Sequence, residues 1–183
     1  MAPLELPTGL ADGRVLLRGW SPDDLPTIAD FGLDPANVRW GDVPAGRQVA
    51  AARAWMREME RYRRDGRGLS LAVVEASERE VVGNLDLRFP LPRVGELGFL
   101  LVPRARGRGL MSGALRLVVA WAFAEHALGR IQAFVSPDNE RSARLLSRLG
   151  FVREGVLRSY RGPGRDRVAF SLLPGELGSA PRA

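Results

Sequence analysis

A chain of 183 residues can bury a real core as one domain, and 45% hydrophobic with 26% charged residues is the balance of a globular protein. It has no cysteine and one histidine, His126, which excludes disulfides, thiolate chemistry and multi-histidine metal sites. The formal charge is +6 and all 27 basic residues are arginine, so lysine-dependent nucleotide loops and Schiff-base enzymes are excluded as well.

Residues 1–13 read as loosely ordered, with Pro3, Pro7, Gly9 and Gly13, and Val15–Arg18 follows as a first strand. Ser21-Pro22-Asp23-Asp24 opens a helix with a cap, a proline and two acids, and that helix ends near Gly32. Asp34–Trp40 is a short second turn. Gln48–Arg64 is an amphipathic helix, with Val49, Ala52, Trp55, Met56, Met59 and Tyr62 at helical spacing and Asp65-Gly66 as its stop. Leu69–Glu75 and Val81–Phe89 form a hairpin across the polar turn Ala76–Glu80, and Pro90 and Pro92 then break the chain. Glu96–Val102 is a further strand, followed by an Arg/Gly loop over 103–109 and a helix from Leu110 to Leu128. Arg130–Val135 is a strand, Asn139–Leu149 a helix stopped by Gly150, and Phe151–Leu157 with Arg167–Leu173 a closing antiparallel pair. This order predicts an α/β fold with a mixed sheet, rather than a regularly alternating one. No repeat or linker divides it, so a single domain over 1–178 is expected, with a disordered tail at 179–183.

The densest chemical signal is Pro103-Arg104-Ala105-Arg106-Gly107-Arg108-Gly109, between a hydrophobic strand and a helix. Glycine turns can aim several N–H groups at one point, the helix N-terminus adds partial positive charge, and arginines supply phosphate donors. The ligand this suits is a pyrophosphate; the alternative is a tight solvated turn with incidental arginines. A Walker loop is excluded for want of lysine, and a Rossmann fingerprint because Ser112 stands where glycine is needed.

Arg106-Gly107-Arg108-Gly109-Leu110-Met111 resembles the Gln/Arg-x-x-Gly-x-Gly/Ala pyrophosphate loop of GNAT acetyltransferases, with Met111 in place of the small last residue. A second register, Arg104-x-x-Gly107-x-Gly109, also fits; the first places Gly109 at the helix entrance. Glu96-Leu97-Gly98-Phe99, Asn139-Glu140-Arg141-Ser142, and Leu149-Gly150-Phe151 followed by Glu154-Gly155 are similar to the RimJ/RimL-type branch in order and spacing. The resemblance implies a GNAT fold: a mixed, mostly antiparallel central sheet splayed between strands 4 and 5 and flanked by helices.

It also implies acetyl-CoA as cosubstrate, a primary amine as acceptor, and no metal. Phe99, Leu100, Leu101 and Val102 map to the strand edge that pairs with pantetheine, and an N–H near Leu101 to the donor for the thioester oxyanion. Arg106, Gly107, Arg108, Gly109, Leu110 and Met111 map to the phosphates, and Asn139 and Ser142 to further cofactor contacts. Asn139 reads equally as a helix cap. Glu96 is the candidate base and Ser142 the candidate acid, each against a reading as an ordinary strand-flank or helix-start residue. The tyrosine that many relatives use as acid is replaced by Leu146, and Arg161 stands where some carry a glutamate, which leaves Tyr160 as an alternative donor. His126 reads as a half-buried or surface histidine; Trp55, Met56 and Met59 read as core.

The acceptor expected first is a protein or peptide N-terminal α-amine, and second a small amine such as an antibiotic or polyamine. A non-catalytic acyl-CoA-binding protein is the next reading. Nucleic-acid binding is suggested only by the arginine excess, which a GC-rich genome explains as well, and is not expected. With no apolar run of membrane-spanning length and no signal peptide, a cytoplasmic protein without membrane partners is expected, and a homodimer is compatible.

Overall fold

In a computed structural model, residues 3–41 and 43–178 are described. The elements run β1 (Val15–Arg18), α1 (Leu25–Asp30), α2 (Pro35–Trp40), α3 (Val49–Arg64), β2 (Gly68–Glu75), β3 (Glu80–Leu91) and β4 (Val94–Leu101). Then come α4 (Leu110–Glu125), β5 (Arg130–Val135), α5 (Glu140–Arg148), β6 (Val152–Leu157) and β7 (Arg167–Leu172). Hydrogen-bonded neighbours follow the order β1-β2-β3-β4-β5-β7-β6. The expected tail at 179–183 lies outside the described residues.

Two compact units share the chain, one built on the residues up to Arg88 with Phe99–Leu117, the other on Phe89–Gly98 and the residues from Val118 on. In the first, β1 and β2 pair antiparallel from Val15 opposite Glu75, and β2 and β3 from Gly68 opposite Arg88. The Val102 N–H donates to the Val82 carbonyl at 2.9 Å, so the β3–β4 ladder reaches the end of β4. Gly83 permits that approach: a Cβ there would lie 2.3 Å from the Leu100 oxygen. Every residue of β2 is buried, with Leu69, Leu71 and Val73 nearly sealed from solvent. Each such leucine stabilises the fold by about 1.5–3 kcal/mol. A second cluster joins Ile28 and Ala29 of α1, Phe31 and Ala52, with Trp20, Trp55 and Met56 packed on it, in keeping with the reading of Trp55 and Met56 as core.

In the second unit β4 and β5 run parallel, from Val94 opposite Arg130 to Leu97 opposite Ala133. The pairing stops there, while β4 continues to Leu101 and β5 to Val135, which is the expected splay between strands 4 and 5. β5 pairs antiparallel with β7, and β7 with β6 across an irregularity at Arg153/Gly155.

Some boundaries differ from the sequence reading. Pro90 does not break β3, which runs on to Leu91; a proline is tolerated near a strand end, and the reversal falls at Pro92-Arg93, where Arg93 takes φ +60°. The long helix ends at Glu125 rather than Leu128, because Ala127 adopts φ +46°. The first predicted helix is a short α1 with a 3-10 turn on each side, opened by a capping box between Ser21 and Asp24.

Candidate functional site

In the first unit, β4 ends in half-buried Phe99, Leu100 and Leu101, and Val102, just after it, is half-buried as well. Backbone groups on an antiparallel strand alternate in direction. Val102 spends its N–H on β3, so the N–H groups of Leu101 and Phe99 point to the opposite side. Pro103–Ala105 then makes one 3-10 turn around a fully buried Ala105. Gly107 and Gly109 follow with φ +76° and +80°, values that glycine reaches without strain. The Gly113 N–H to Gly109 carbonyl bond, at 3.1 Å, marks the opening of α4. The N–H groups of a helix's first turn have no partner within the helix, and here they follow directly on the two glycines. Met111 and Leu110 turn their side chains into the core, at 5% and 3% exposure. A large residue is therefore accommodated at Met111, and only the backbone of these two positions is offered to a ligand.

The loop arginines are engaged with acids. Arg104 pairs with Glu80 at 2.6 Å, Arg108 with the buried Glu75, and Arg106 with Asp34 at the start of α2. Arg106 also donates to Asn37 Oδ1 at 2.9 Å, and to the Leu101 carbonyl at 2.7 and 3.1 Å from Nη2 and Nε. Its side chain ties the end of β4 to α2, so its local work is architectural. Burial alone would push the Asp34 carboxyl up, but the Arg106 hydrogen bond and charge, with the Asn37 and Ala36 N–H groups, hold it below its ordinary value. Arg14 is the residue sequence reasoning missed. Its Nη2 donates to the Arg108 carbonyl at 2.6 Å, and its Nη1 lies 3.5 Å from where a Cβ at Gly109 would sit. No motif signals it, because it stands 94 positions before Arg108.

In the second unit Glu96 is half-buried, lies opposite Gln132 in the parallel register, and accepts from Gln132 Nε2 at 3.4 Å. Arg130 Nε donates to Gln132 Oε1 at 3.2 Å and its other nitrogens to Glu154 at 2.7 and 2.6 Å. Ser171 Oγ donates to Glu154 at 2.7 Å. The Arg130 and Ser171 hydrogen bonds outweigh burial and lower the Glu154 carboxyl to about 2. A depressed acid contributes stability above its unfolded pKa, and loses it as pH falls through the folded one. The melting-temperature gap between wild type and Glu154→Gln is therefore expected to be full at about pH 6 and to close steadily below about pH 4.3. A gap of equal size at about pH 6 and about pH 3 in thermal scans would mean that the ion pair contributes nothing.

Asn139 caps α5, its Oδ1 accepting from the Ser142 N–H at 3.2 Å, so the cap reading holds for that oxygen. Leu146, at the tyrosine position, is fully buried. Tyr160 is 47% exposed with its ring 4.7 Å from Phe134. His126 is half-buried between the rings of Phe89 and Trp121, and burial lowers its pKa despite the Glu125 charge. Among the described residues no helix is long and apolar enough to cross a membrane.

Residues 14–152 match the acetyltransferase (GNAT) domain family. The chain belongs to that family. It is an acetyl-CoA-dependent N-acetyltransferase. The uncharacterised N-acetyltransferase p20 of Bacillus licheniformis is 28% identical over 168 residues, covering 89% of this chain and 94% of that one. The ribosomal-protein-S5-alanine acetyltransferase of Vibrio fischeri superposes with a TM-score of 0.72 at 25% identity, over 90% of this chain and 95% of that one. The spermidine N-acetyltransferase of Vibrio cholerae, solved with CoA and spermine, shares the fold with a TM-score of 0.76 at 18% identity, over 90% and 98%. The ribosomal-protein enzyme among these likenesses agrees with the RimJ/RimL-type motifs of this GNAT chain.

Proposed function

We propose that this GNAT enzyme acetylates the N-terminal α-amine of a protein or peptide by direct transfer from acetyl-CoA. The observation that carries the cofactor half of this reading is the pair of left-handed glycines, Gly107 and Gly109, opening α4. Their N–H groups and those of Leu110 and Met111 take the pyrophosphate, and Arg14, which donates to the Arg108 carbonyl, adds a guanidinium beside the loop. The Leu101 N–H polarises the thioester carbonyl. The amine nitrogen attacks that carbon, Glu96 receives the amine proton directly or through water, the C–S bond breaks, and Ser142 returns a proton to the leaving sulfur.

The acceptor half is supported by the likeness to the Vibrio fischeri ribosomal-protein-S5-alanine acetyltransferase over nearly the whole of both chains. A small polyamine is the second reading, supported by the shared fold of the spermidine enzyme. A mass-spectrometric panel tests the choice. Peptides beginning with Ala or Ser are expected to gain one acetyl group at the N-terminus. Efficient acetylation of spermine or an aminoglycoside, with none of those peptides, would reverse the preference.

A further inference from the structure

We infer that Gln132 is a positioning residue for Glu96, and that Arg130 and Glu154 decide which way its amide faces; this rests on Glu96 being the base proposed above. Gln132 offers an acceptor oxygen on one side of its amide and a donor nitrogen on the other, in nearly identical shapes. Left to itself it could present either end to a neighbouring carboxylate. Arg130 removes that freedom. It stands two residues earlier in β5, and β-strand side chains two apart share a face. A guanidinium only donates, so Gln132 must turn Oε1 to Arg130, where the bond is 3.2 Å. Nε2 is thereby left to Glu96, at 3.4 Å. Contacts to catalytic groups are commonly this long before substrate arrives and tighten in the reactive complex.

Arg130 is held in turn. Glu154 grips it through both carboxylate oxygens, at 2.7 and 2.6 Å, and Ser171 steadies Glu154. Ser171 lies opposite Gln132 in the β5–β7 register, so the chain of contacts folds back on the same stretch of sheet. The direction of donation is consistent throughout: Ser171 and Arg130 give to Glu154, Arg130 gives to Gln132, and Gln132 gives to Glu96. The last link fixes the direction of the Glu96 carboxylate with a neutral donor, which aims a base without an ion pair at that contact. It also gives the Glu154-Gly155 dipeptide a task. Glu154 anchors the far end of the chain, at the irregular step of β6 where Gly155 takes φ +153°.

The test is a double-mutant cycle assayed with acetyl-CoA and both an Ala-initiated peptide and spermine. Gln132→Leu is expected to lower kcat about 10-fold with acetyl-CoA affinity unchanged, and to add nothing in a Glu96→Gln background. Gln132→Glu, which cannot donate when ionised, should be at least as impaired. A rate loss of equal size in both backgrounds would assign Gln132 a merely structural part and overturn the inference while leaving Glu96 as base. Wild-type turnover in Glu96→Gln would overturn both. A second readout is independent of the acceptor. The Gln132 side-chain amide resonances of the intact enzyme should shift in Glu96→Gln and in Arg130→Met; unmoved resonances in both variants overturn the proposal.

Discussion

Gly109→Val is expected to lose acetyl-CoA affinity by about 100-fold or more while remaining folded. The position takes φ +80°, which a β-branched residue adopts only under strain. A non-glycine residue in that region costs about 1–2 kcal/mol, and valine lies at or beyond the top of that range. The loop therefore relaxes toward a different backbone path, and the N–H groups that open α4 no longer converge. Two charge-assisted hydrogen bonds at about 1.5–3 kcal/mol each more than account for the expected factor. The new side chain would also meet Arg14, whose Nη1 is 3.5 Å from the Cβ position. Gly107→Ala separates strain from obstruction. Its Cβ would meet nothing within 4 Å, so it carries the φ +76° penalty with no clash inside the protein. Wild type should gain about 5–10 °C in melting temperature at acetyl-CoA concentrations near 100 times Kd, from a ligand stabilisation of about 2.7 kcal/mol. Gly107→Ala should keep part of that gain and Gly109→Val almost none. A Gly109→Val protein with the wild-type ligand shift would mean that the phosphates are bound elsewhere.

The loop was legible in the sequence because its two signals are local. Glycines at 107 and 109, after a hydrophobic strand and before a helical period, specify a turn and a helix start with little help from the rest of the chain. The succession of strands and helices after β4 was legible for the same reason, but the placing of β7 between β5 and β6 was not. What the sequence concealed is where each arginine's charge goes. Arg104, Arg106 and Arg108 look interchangeable in a basic loop, yet each meets an acid from a separate segment: Glu80, Asp34 and Glu75. Arg14, which does approach the loop backbone, lies in an unremarkable stretch before β1. Such pairings depend on long-range register, which no window of sequence reports. The same holds for Gln132: it reads as one polar residue in RIQAFV until the β4–β5 pairing sets it beside Glu96. Pro90 misled in the other direction, since a proline's local preference yielded to the strand it ends.

Glu96→Gln and Ser142→Ala are expected to lower turnover by about 10- to 1000-fold each, with acetyl-CoA affinity close to wild type. Glutamine keeps the shape of Glu96 and can still face Gln132, so the substitution removes the proton acceptor rather than the packing. Its loss should be largest near neutral pH, where an amine in water is mostly protonated and needs a base to shed its proton. Raising the pH supplies neutral amine from solution and should recover part of the rate. Ser142 differs in kind. Its N–H is already committed to the Asn139 cap, and alanine preserves that bond, so α5 should stay intact while the hydroxyl is lost. If Ser142 protonates the leaving sulfur, an acyl donor whose thiolate is more stable than that of CoA should restore the alanine variant, because a better leaving group has less need of an acid. Glu96→Gln should gain nothing from that donor. Equal rescue of both variants, or of neither, would remove the division of labour between them. If Ser142→Ala keeps the wild-type rate while Tyr160→Phe loses it, the proton donor passes to Tyr160, whose exposed hydroxyl is the alternative the second unit offers.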